Sequence, residues 1–262
     1  MLFSVITVTY NAEATLPPTV ASIEAQTFKD FEFLLIDGAS TDETISIAKK
    51  ANIDCKQIYS NPDKGLYDAM NRGLDMARGR YVIFLNAGDS FPSSDTLRIY
   101  ADAIASAPTK PGIVYGQTEL VDADRRVLGP RHLRAPEHLD FRSFADGMTV
   151  CHQAMAVRRD IAGQYNLRYR FSADYEWCVR ALLNSPLNVY VNAVTAHYLK
   201  DGLTTANHRA SLKERYEIMS HYYGKVPTML RHIKFALRAI LGTKKSLKIL
   251  QNSNKNTNFA PL

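Results

Sequence analysis

The sequence predicts an α/β domain, a mostly parallel sheet with helices on both faces, followed by a basic amphipathic helical tail. Three observations predict it. Between residues 3 and 107, apolar strand-like runs alternate with helix-like stretches, the pattern of successive β-α units. The strand runs are almost continuously apolar and rich in β-branched residues, as in strands covered on both faces. The charge is divided unevenly: residues 225–262 hold eight Lys or Arg and no Asp or Glu. Taking those eight from the 32 basic residues leaves 24 against 26 acids, so the first 224 residues carry a net −2 while the whole chain carries +6.

The elements follow in order. FSVITVT (3–9) is the first strand. TLPPTVASIEAQ (15–26) is a helix whose prolines fall in the first turn, where a missing N–H leaves no helical bond unmade. FEFLLID (31–37) is the second strand. STDETISIAKK (40–50) is the next helix, and its Ser40 and Glu43 have capping-box spacing. KQIYS (56–60) is a short third strand and GLYDAMNRGLDMARG (65–79) a helix bounded by glycines. YVIFL (81–85) is the fourth strand, with DTLRIYADAIASA (95–107) as its helix. In the second half, GIVYGQTELVDADRRVLG (112–129) reads as two strands around an Asp-rich turn. VCHQAMAVRR (150–159) reads as a strand, ADYEWCVRALLNS (173–185) as an amphipathic helix and LNVYVNAVTAHY (187–198) as a strand. The closing QNSNKNTNFAPL is polar, of the kind that stays disordered.

Composition narrows the class. A chain of 262 residues, 46% hydrophobic, suits one large domain or a domain with an appendage. Cys55, Cys151 and Cys178 are odd in number and widely spaced, which points to reduced thiols in a cytosolic protein. MLFSVITVTYN lacks the basic start of a signal peptide and reads as a strand. No apolar run approaches the roughly 18 residues of a membrane span. There is no GxGxxG and no GxxxxGK[ST], so dinucleotide and P-loop readings lose their main support. Three strand ends are polar: Thr9-Tyr10-Asn11, Asp37-Gly38-Ala39-Ser40 and Asn86-Ala87-Gly88-Asp89. In such sheets ligands bind beyond the carboxyl ends of the strands.

SVITVTYNAEATLPPTVASIEAQTF, IDGASTDET, PDKGLYDAMNRGLDMARGRYVIFLNAGD, CHQAMAVRR and SADYEW occur in that order. Together they resemble family 2 glycosyltransferases, inverting enzymes of the GT-A fold, over about residues 3–205. The PDKGLYDAMN and FLNAGD variants look most like the bacterial branch that builds exopolysaccharide, including colanic-acid-type enzymes. The resemblance implies a nucleotide-sugar donor, Mg2+ or Mn2+, and transfer with inversion. With the charge distribution, it gives an expected division into a GT-A domain over 1–224 and the basic tail over 225–262. Within the domain, the nucleotide-sugar half runs to about 118 and the acceptor half from 119 to 224.

The resemblance carries residue roles. Asp37 matches the acid that accepts a hydrogen bond from the base, usually uracil; the competing reading is a strand-end acid capping the next helix. Thr9 and Tyr10 line the base through backbone and ring, with plain packing the alternative for Tyr10. Asp89 matches the last acid of a D-x-D-D pattern, the metal ligand, while Asn86 and Gly88 replace the other acids. One carboxylate can suffice when phosphate oxygens and water complete the shell, and Asn86 can offer an oxygen to ribose or water. Asp89 could instead cap a following turn. Asp174 matches the catalytic base, at a helix start where the dipole suits a carboxylate. Ala173 replaces the acid that often precedes it, and Glu176 is the fallback base. Asp63 and Lys64 can approach the donor diphosphate or sugar. Relatives carry Arg where Met70 stands, and Lys64 is the substitute. Asn71 either faces the site or is a buried amide bonded to backbone; Asp68 and Arg72 have the spacing of a helix pair. His152 and Gln153 are candidates for the acceptor cleft, with a structural histidine the competing reading. His197 and Lys200, with the KDGLTT loop, resemble the family's late loop over the diphosphate.

In the tail, Met229, Leu230, Ile233, Ala236, Leu237, Ile240 and Leu241 recur at helical spacing, with Arg231, Lys234 and Arg238 elsewhere. That pattern suits a helix lying on an anionic membrane surface over 225–250, or one docked on the domain. The expectation is a hexosyltransferase-type enzyme in the cytoplasm, peripheral on the inner face of a bacterial membrane. It would use a UDP-sugar or a GDP-sugar, the former favoured, and extend a lipid-diphosphate-linked glycan. A nucleotidyltransferase would need a basic Gly-rich loop where YNAEATLPP stands. The alternative from another class is a catalytically silent nucleotide- or polyanion-binding domain. Nucleic acid is not an expected partner, since the body lacks basic charge and interleaved aromatic platforms.

Overall fold

The computed structural model describes residues 1–200, 208–235 and 237. β1 (Phe3–Thr9) and β2 (Phe31–Asp37) are buried at every position. Strands with no wet face belong in the middle of a sheet covered on both sides. β3 (Lys56–Ser60) lies outside β2, and β4 (Tyr81–Phe84) pairs with the other edge of β1, all in parallel. The helices α1 (Leu16–Glu24), α2 (Thr44–Lys50), α3 (Leu66–Met76) and α4 (Thr96–Ser106) alternate with these strands and precede β5. α1 starts with proline in its first turn, as expected. A core cluster including Phe3, Leu16, Ile23, Phe33, Ile83 and Tyr100 joins helices and sheet.

The second half completes an eight-stranded sheet. β5 (Ile113–Val121) and β6 (Val127–Pro130) form the expected antiparallel pair. β7 (Met155–Arg158) inserts between β4 and β5, antiparallel to both. β8 (Asn188–Leu199) runs parallel to β5. α5 (Arg159–Ala162) and α6 (Ala173–Asn184) lie between β7 and β8. The chain forms two compact units, Met1–Ser211 and Leu212–Leu262, with α7 (His208–Tyr223) spanning the division. The first unit holds the whole sheet. The described part of the second is helical over 212–223 and 225–235. No helix among the described residues is long and apolar enough to cross a membrane.

Two local expectations are corrected. Ser40 and Glu43 do not form a capping box: α2 begins at Thr44 without a side-chain cap. The Ser40 hydroxyl donates to Asp37 instead, a bond to a buried carboxylate that outcompetes a surface cap. The strand expected over 150–159 begins only at Met155, because His152–Ala154 forms a 3-10 turn.

Register explains where the functional end of the sheet lies. Thr9 stands opposite Asp37, and Asp37 opposite Ser60, so β1, β2 and β3 end level. β4 ends beside them, with Thr7 Oγ1 donating to the Leu85 carbonyl. Since β7 is antiparallel to β4, the turn that precedes it sits at the same end. β8 runs with β5, so its last residues arrive there too.

Candidate active site

Asp37 is the hub of the β1–β2–β3 ends. It is 1% exposed and accepts four hydrogen bonds: Thr9 Oγ1 (2.9 Å) and Ser40 Oγ (2.5 Å) at Oδ1, Ser40 N (2.9 Å) and Ser60 Oγ (2.6 Å) at Oδ2. Burial pushes its pKa up, but the donors from Ser40, Ser60 and Thr9 outweigh it and the net shift is downward. Thr9 therefore anchors Asp37 with its side chain. Tyr10, next in the chain, is 69% exposed. Asn11 and Ala39, the turn residues beyond the two strands, both have positive φ (47° and 63°), a strained conformation for residues with a Cβ. Two loops are laced together around them: Asn11 N donates to Ser40 Oγ, Thr41 N to Asn11 Oδ1, and Glu13 N to Asp42 Oδ2. Asp63 approaches from the loop after β3; a Cβ on Gly38 would stand 2.7 Å from its Oδ2 and 3.3 Å from the Tyr10 ring. Lys64 is exposed beside it, its backbone N–H on Asp68, which pairs with Arg72 at 3.1 Å as the spacing suggested.

The Asn86–Asp89 turn follows β4. Thr19 of α1 pins it, donating to the Asp89 carbonyl (2.6 Å) and accepting from Gly88 N (3.0 Å). Gly88 has φ +99°, and a Cβ there would stand 2.8 Å from Leu199 Cδ2. A side chain at this position would be strained by the backbone and would have to push the Leu199 side chain aside. Asp89 is buried. Its Oδ2 accepts from Gln153 Nε2 (2.9 Å) and its Oδ1 from Leu199 N (3.0 Å). Burial raises its pKa to about 7 against these donors and the nearby Arg125. Arg125, at the β5–β6 turn, donates to the Gly88 carbonyl (2.6 Å) and to Ser90 Oγ, clamping the turn from outside.

Among the described residues no three His, Cys, Asp or Glu cluster as a metal cage. The buried Asn86 Oδ1 has no hydrogen-bond partner there. Each Asp89 oxygen accepts one of these bonds and keeps acceptor capacity. Two hard oxygen donors on one turn fit Mg2+ or Mn2+ when phosphate oxygens and water fill the other positions.

Asp174, in the first turn of α6, accepts at Oδ1 from Tyr67 Oη (3.2 Å) and Tyr175 N (2.8 Å). Its Oδ2 faces His152 Nδ1 at 3.7 Å. The turn before β7 therefore serves both carboxylates, Gln153 reaching Asp89 and His152 reaching Asp174. His152 is buried, neither ring nitrogen has a hydrogen-bond partner among the described residues, and burial lowers its pKa. Glu176 is turned away into an ion pair with Arg180 (3.1 Å). A concavity of about 430 Å³ lies at the opposite end of the sheet, lined by Arg80, Lys110, Arg158 and Arg159 among others. None of the residues above lines it.

Two sequence candidates, Asn71 and His197, turn their side chains elsewhere. Asn71 does not face the cleft: its amide donates to the Tyr165 carbonyl (3.0 Å) and accepts from Tyr165 N (2.6 Å). His197 points its ring at Glu119 (3.5 Å), although its backbone bridges to Ser90 beside Asp89. Lys200 is exposed with its N–H on Val121, and residues 201–205 of the KDGLTT loop lie outside the described residues. Thr19, Arg125, Tyr67 and Leu199 went unread in the sequence. Only Thr19, one helix turn into α1, carried even a weak signal as a hydroxyl within an apolar face.

The profile of "Glycosyl transferase family 2" matches residues 4–165. The chain belongs to that family. This family 2 glycosyltransferase is 38% identical over 208 residues to a "PGL/p-HBAD biosynthesis glycosyltransferase" of Mycobacterium bovis, covering 77% of this chain and 78% of that one. It is 25% identical over 194 residues to the amylovoran biosynthesis glycosyltransferase AmsB of Erwinia amylovora, covering 68% and 63%. Its fold is similar to that of S. aureus TarS 1-349 in complex with UDP-GlcNAc, with TM-score 0.68, 21% identity, and coverage of 83% of this chain and 64% of that one. It is also similar to the mannosyltransferase PcManGT of Pyrobaculum calidifontis in complex with GDP-Man and Mn2+ (TM-score 0.60, 18% identity, 94% and 80% covered). These likenesses agree with the GT-A fold expected from sequence.

Proposed function

We propose that this glycosyltransferase moves a sugar, with inversion, from a nucleotide-sugar donor to a lipid-linked glycan in the making of a surface polysaccharide or exopolysaccharide. The observation that carries the chemistry is the Asp174 carboxylate, with Oδ1 held by two donors and Oδ2 left without one, facing His152 Nδ1 at 3.7 Å on the turn whose Gln153 reaches Asp89. Asp174 Oδ2 takes the proton of the acceptor hydroxyl as that oxygen bonds to the anomeric carbon. The bond from that carbon to the diphosphate breaks, and its electron pair leaves with the diphosphate.

The donor's base lies against Tyr10, between the laced loops. Its ring N–H reaches Asp37 Oδ2 by displacing the Ser60 hydroxyl, the one partner of Asp37 on an exposed residue that can turn away. This favours a uridine donor, with a guanosine donor the second choice. Asp63 and Lys64 border the sugar and diphosphate. Asp89 and Asn86 would hold a divalent cation, which when bound neutralises charge on the leaving diphosphate. A glycolipid-type acceptor is supported by the 38% identical relative, named for PGL/p-HBAD biosynthesis, and a polysaccharide by the amylovoran relative. A colanic-acid-type branch is the narrower form of this reading. Membrane contact through 225–250 is supported by the exposure of Val226, Met229, Leu230, Ile233 and Leu237, while residues 238–250 lie outside the described ones.

Asp174→Asn tests the reading. It keeps the Oδ1 acceptor and removes the base, so turnover of UDP-sugars falls by roughly a hundredfold to ten-thousandfold while UDP binding, by calorimetry, is unchanged. Full turnover in the variant refutes Asp174 as base. UDP binding without turnover of any UDP-sugar or GDP-mannose by the wild type would favour the silent-domain alternative.

A further inference from the structure

We infer that Tyr67 is a positioning residue for Asp174, selecting Oδ2 as the oxygen that takes the acceptor proton. The inference rests on the reading of Asp174 as base.

Tyr67 lies on α3, 107 residues before Asp174, and is buried. Its ring stacks on Tyr165 (5.4 Å, 23°), and Tyr165 stacks on Trp177 of α6 (5.1 Å, 11°). Trp177 is fixed by its Nε1–H on the Gly163 carbonyl (2.9 Å), and Tyr165 by both ends of the Asn71 amide. The column joins the helix that carries Tyr67 to the helix that carries Asp174, so the phenol has little freedom to aim elsewhere. With the backbone N–H of Tyr175, its hydroxyl gives Oδ1 two donors and leaves Oδ2, which faces His152 Nδ1 at 3.7 Å, without a hydrogen-bond donor among the described residues. The 3.2 Å contact is longer than the 2.5–2.7 Å of a tight hydroxyl–carboxylate bond. Catalytic hydrogen bonds of this kind shorten when substrate arrives.

The test is Tyr67→Phe, which keeps the stack and removes only the hydroxyl. In the wild-type background kcat for the UDP-sugar that is turned over falls about tenfold, with KM for the donor and the thermal midpoint unchanged. In the Asp174→Asn background the same change has no further effect, since residues acting as a unit are not additive. An unchanged kcat in Tyr67→Phe, with Asp174→Asn inactive, overturns the inference and leaves the base standing. An active Asp174→Asn overturns the base reading itself.

Discussion

Replacing Asp37 by Ala or by Asn separates its structural work from its binding role. Its four donors differ in kind: three are hydroxyls, which can rotate to accept, and one is the Ser40 backbone N–H, which cannot. In Asp37→Asn the amide oxygen can replace Oδ2, accepting from Ser40 N and Ser60 Oγ. The amide nitrogen then replaces Oδ1 and donates to Thr9 Oγ1 and Ser40 Oγ. All four contacts survive as neutral hydrogen bonds, at a cost of about 1–2 kcal/mol for the lost charge assistance. Asp37→Ala deletes every acceptor and leaves Ser40 N–H unpaired, which adds its desolvation cost and brings the total to about 4 kcal/mol. Urea unfolding at pH 7.5 measures both, and the expected order is wild type, Asn, Ala. Ala and Asn of equal cost would refute the rotating-hydroxyl argument. UDP titration of the folded Asn variant should show at least about a tenfold loss, the equivalent of 1.4 kcal/mol for one charge-assisted contact. Wild-type affinity would remove Asp37 from the base site. The sign in pH follows from its lowered pKa. The Asp37 contribution is present above the ordinary carboxylate range and lost as pH falls through the folded-state value.

Asp89 behaves in the opposite sense. Its pKa is raised from 3.8 to about 7, so between those values the folded state holds a proton that the unfolded state has released. Metal-free stability should fall as pH rises across that window, by about 4 kcal/mol at most. Mn2+ with UDP should bind more tightly at pH 8 than at pH 6, because the ligand must be deprotonated; flat stability and flat binding over that range would contradict the raised value. Glu32 is fully buried on β2 and accepts from Ser4 Oγ (2.6 Å), Arg78 N (2.6 Å), Gln57 Nε2 (3.1 Å) and the Arg78 guanidinium (3.0 Å), whose side chain is 64% exposed. Glu32→Ala, which orphans the buried Ser4 hydroxyl and the Arg78 N–H, should cost about 3–5 kcal/mol in urea unfolding; a cost below about 1 kcal/mol would refute the role of Glu32 as the buried acceptor.

The elements that were legible in the sequence are those fixed by short-range pattern. β1 and β2 announce burial through unbroken apolar runs, and α1 announces its start through proline. The polar strand ends at Thr9, Asp37 and Asn86–Asp89 are legible as a site because parallel β-α units leave no other place for them. The Ser40–Glu43 spacing misled, because a local motif lost to a bond with a buried carboxylate three residues back. Asn71 stayed open between two readings, since nothing local distinguishes a ligand-facing amide from one bonded to backbone; the structure shows the second, tying α3 to Tyr165.

The sequence by itself determined the α/β class and the family, and it nominated Asp37, Asp89 and Asp174, because each rests on residue type and spacing in short stretches of chain. Only the tertiary structure decided how those carboxylates are held. Gln153 reaches Asp89 across 64 residues, Leu199 across 110, and Tyr67 reaches Asp174 across 107. Such contacts follow from sheet order and register: β7 enters antiparallel beside β4 and β8 runs with β5, so three distant segments end where Asp89 stands. A period of 2.0 or 3.6 residues records which face of an element is buried. It carries no information about which other element will lie against that face.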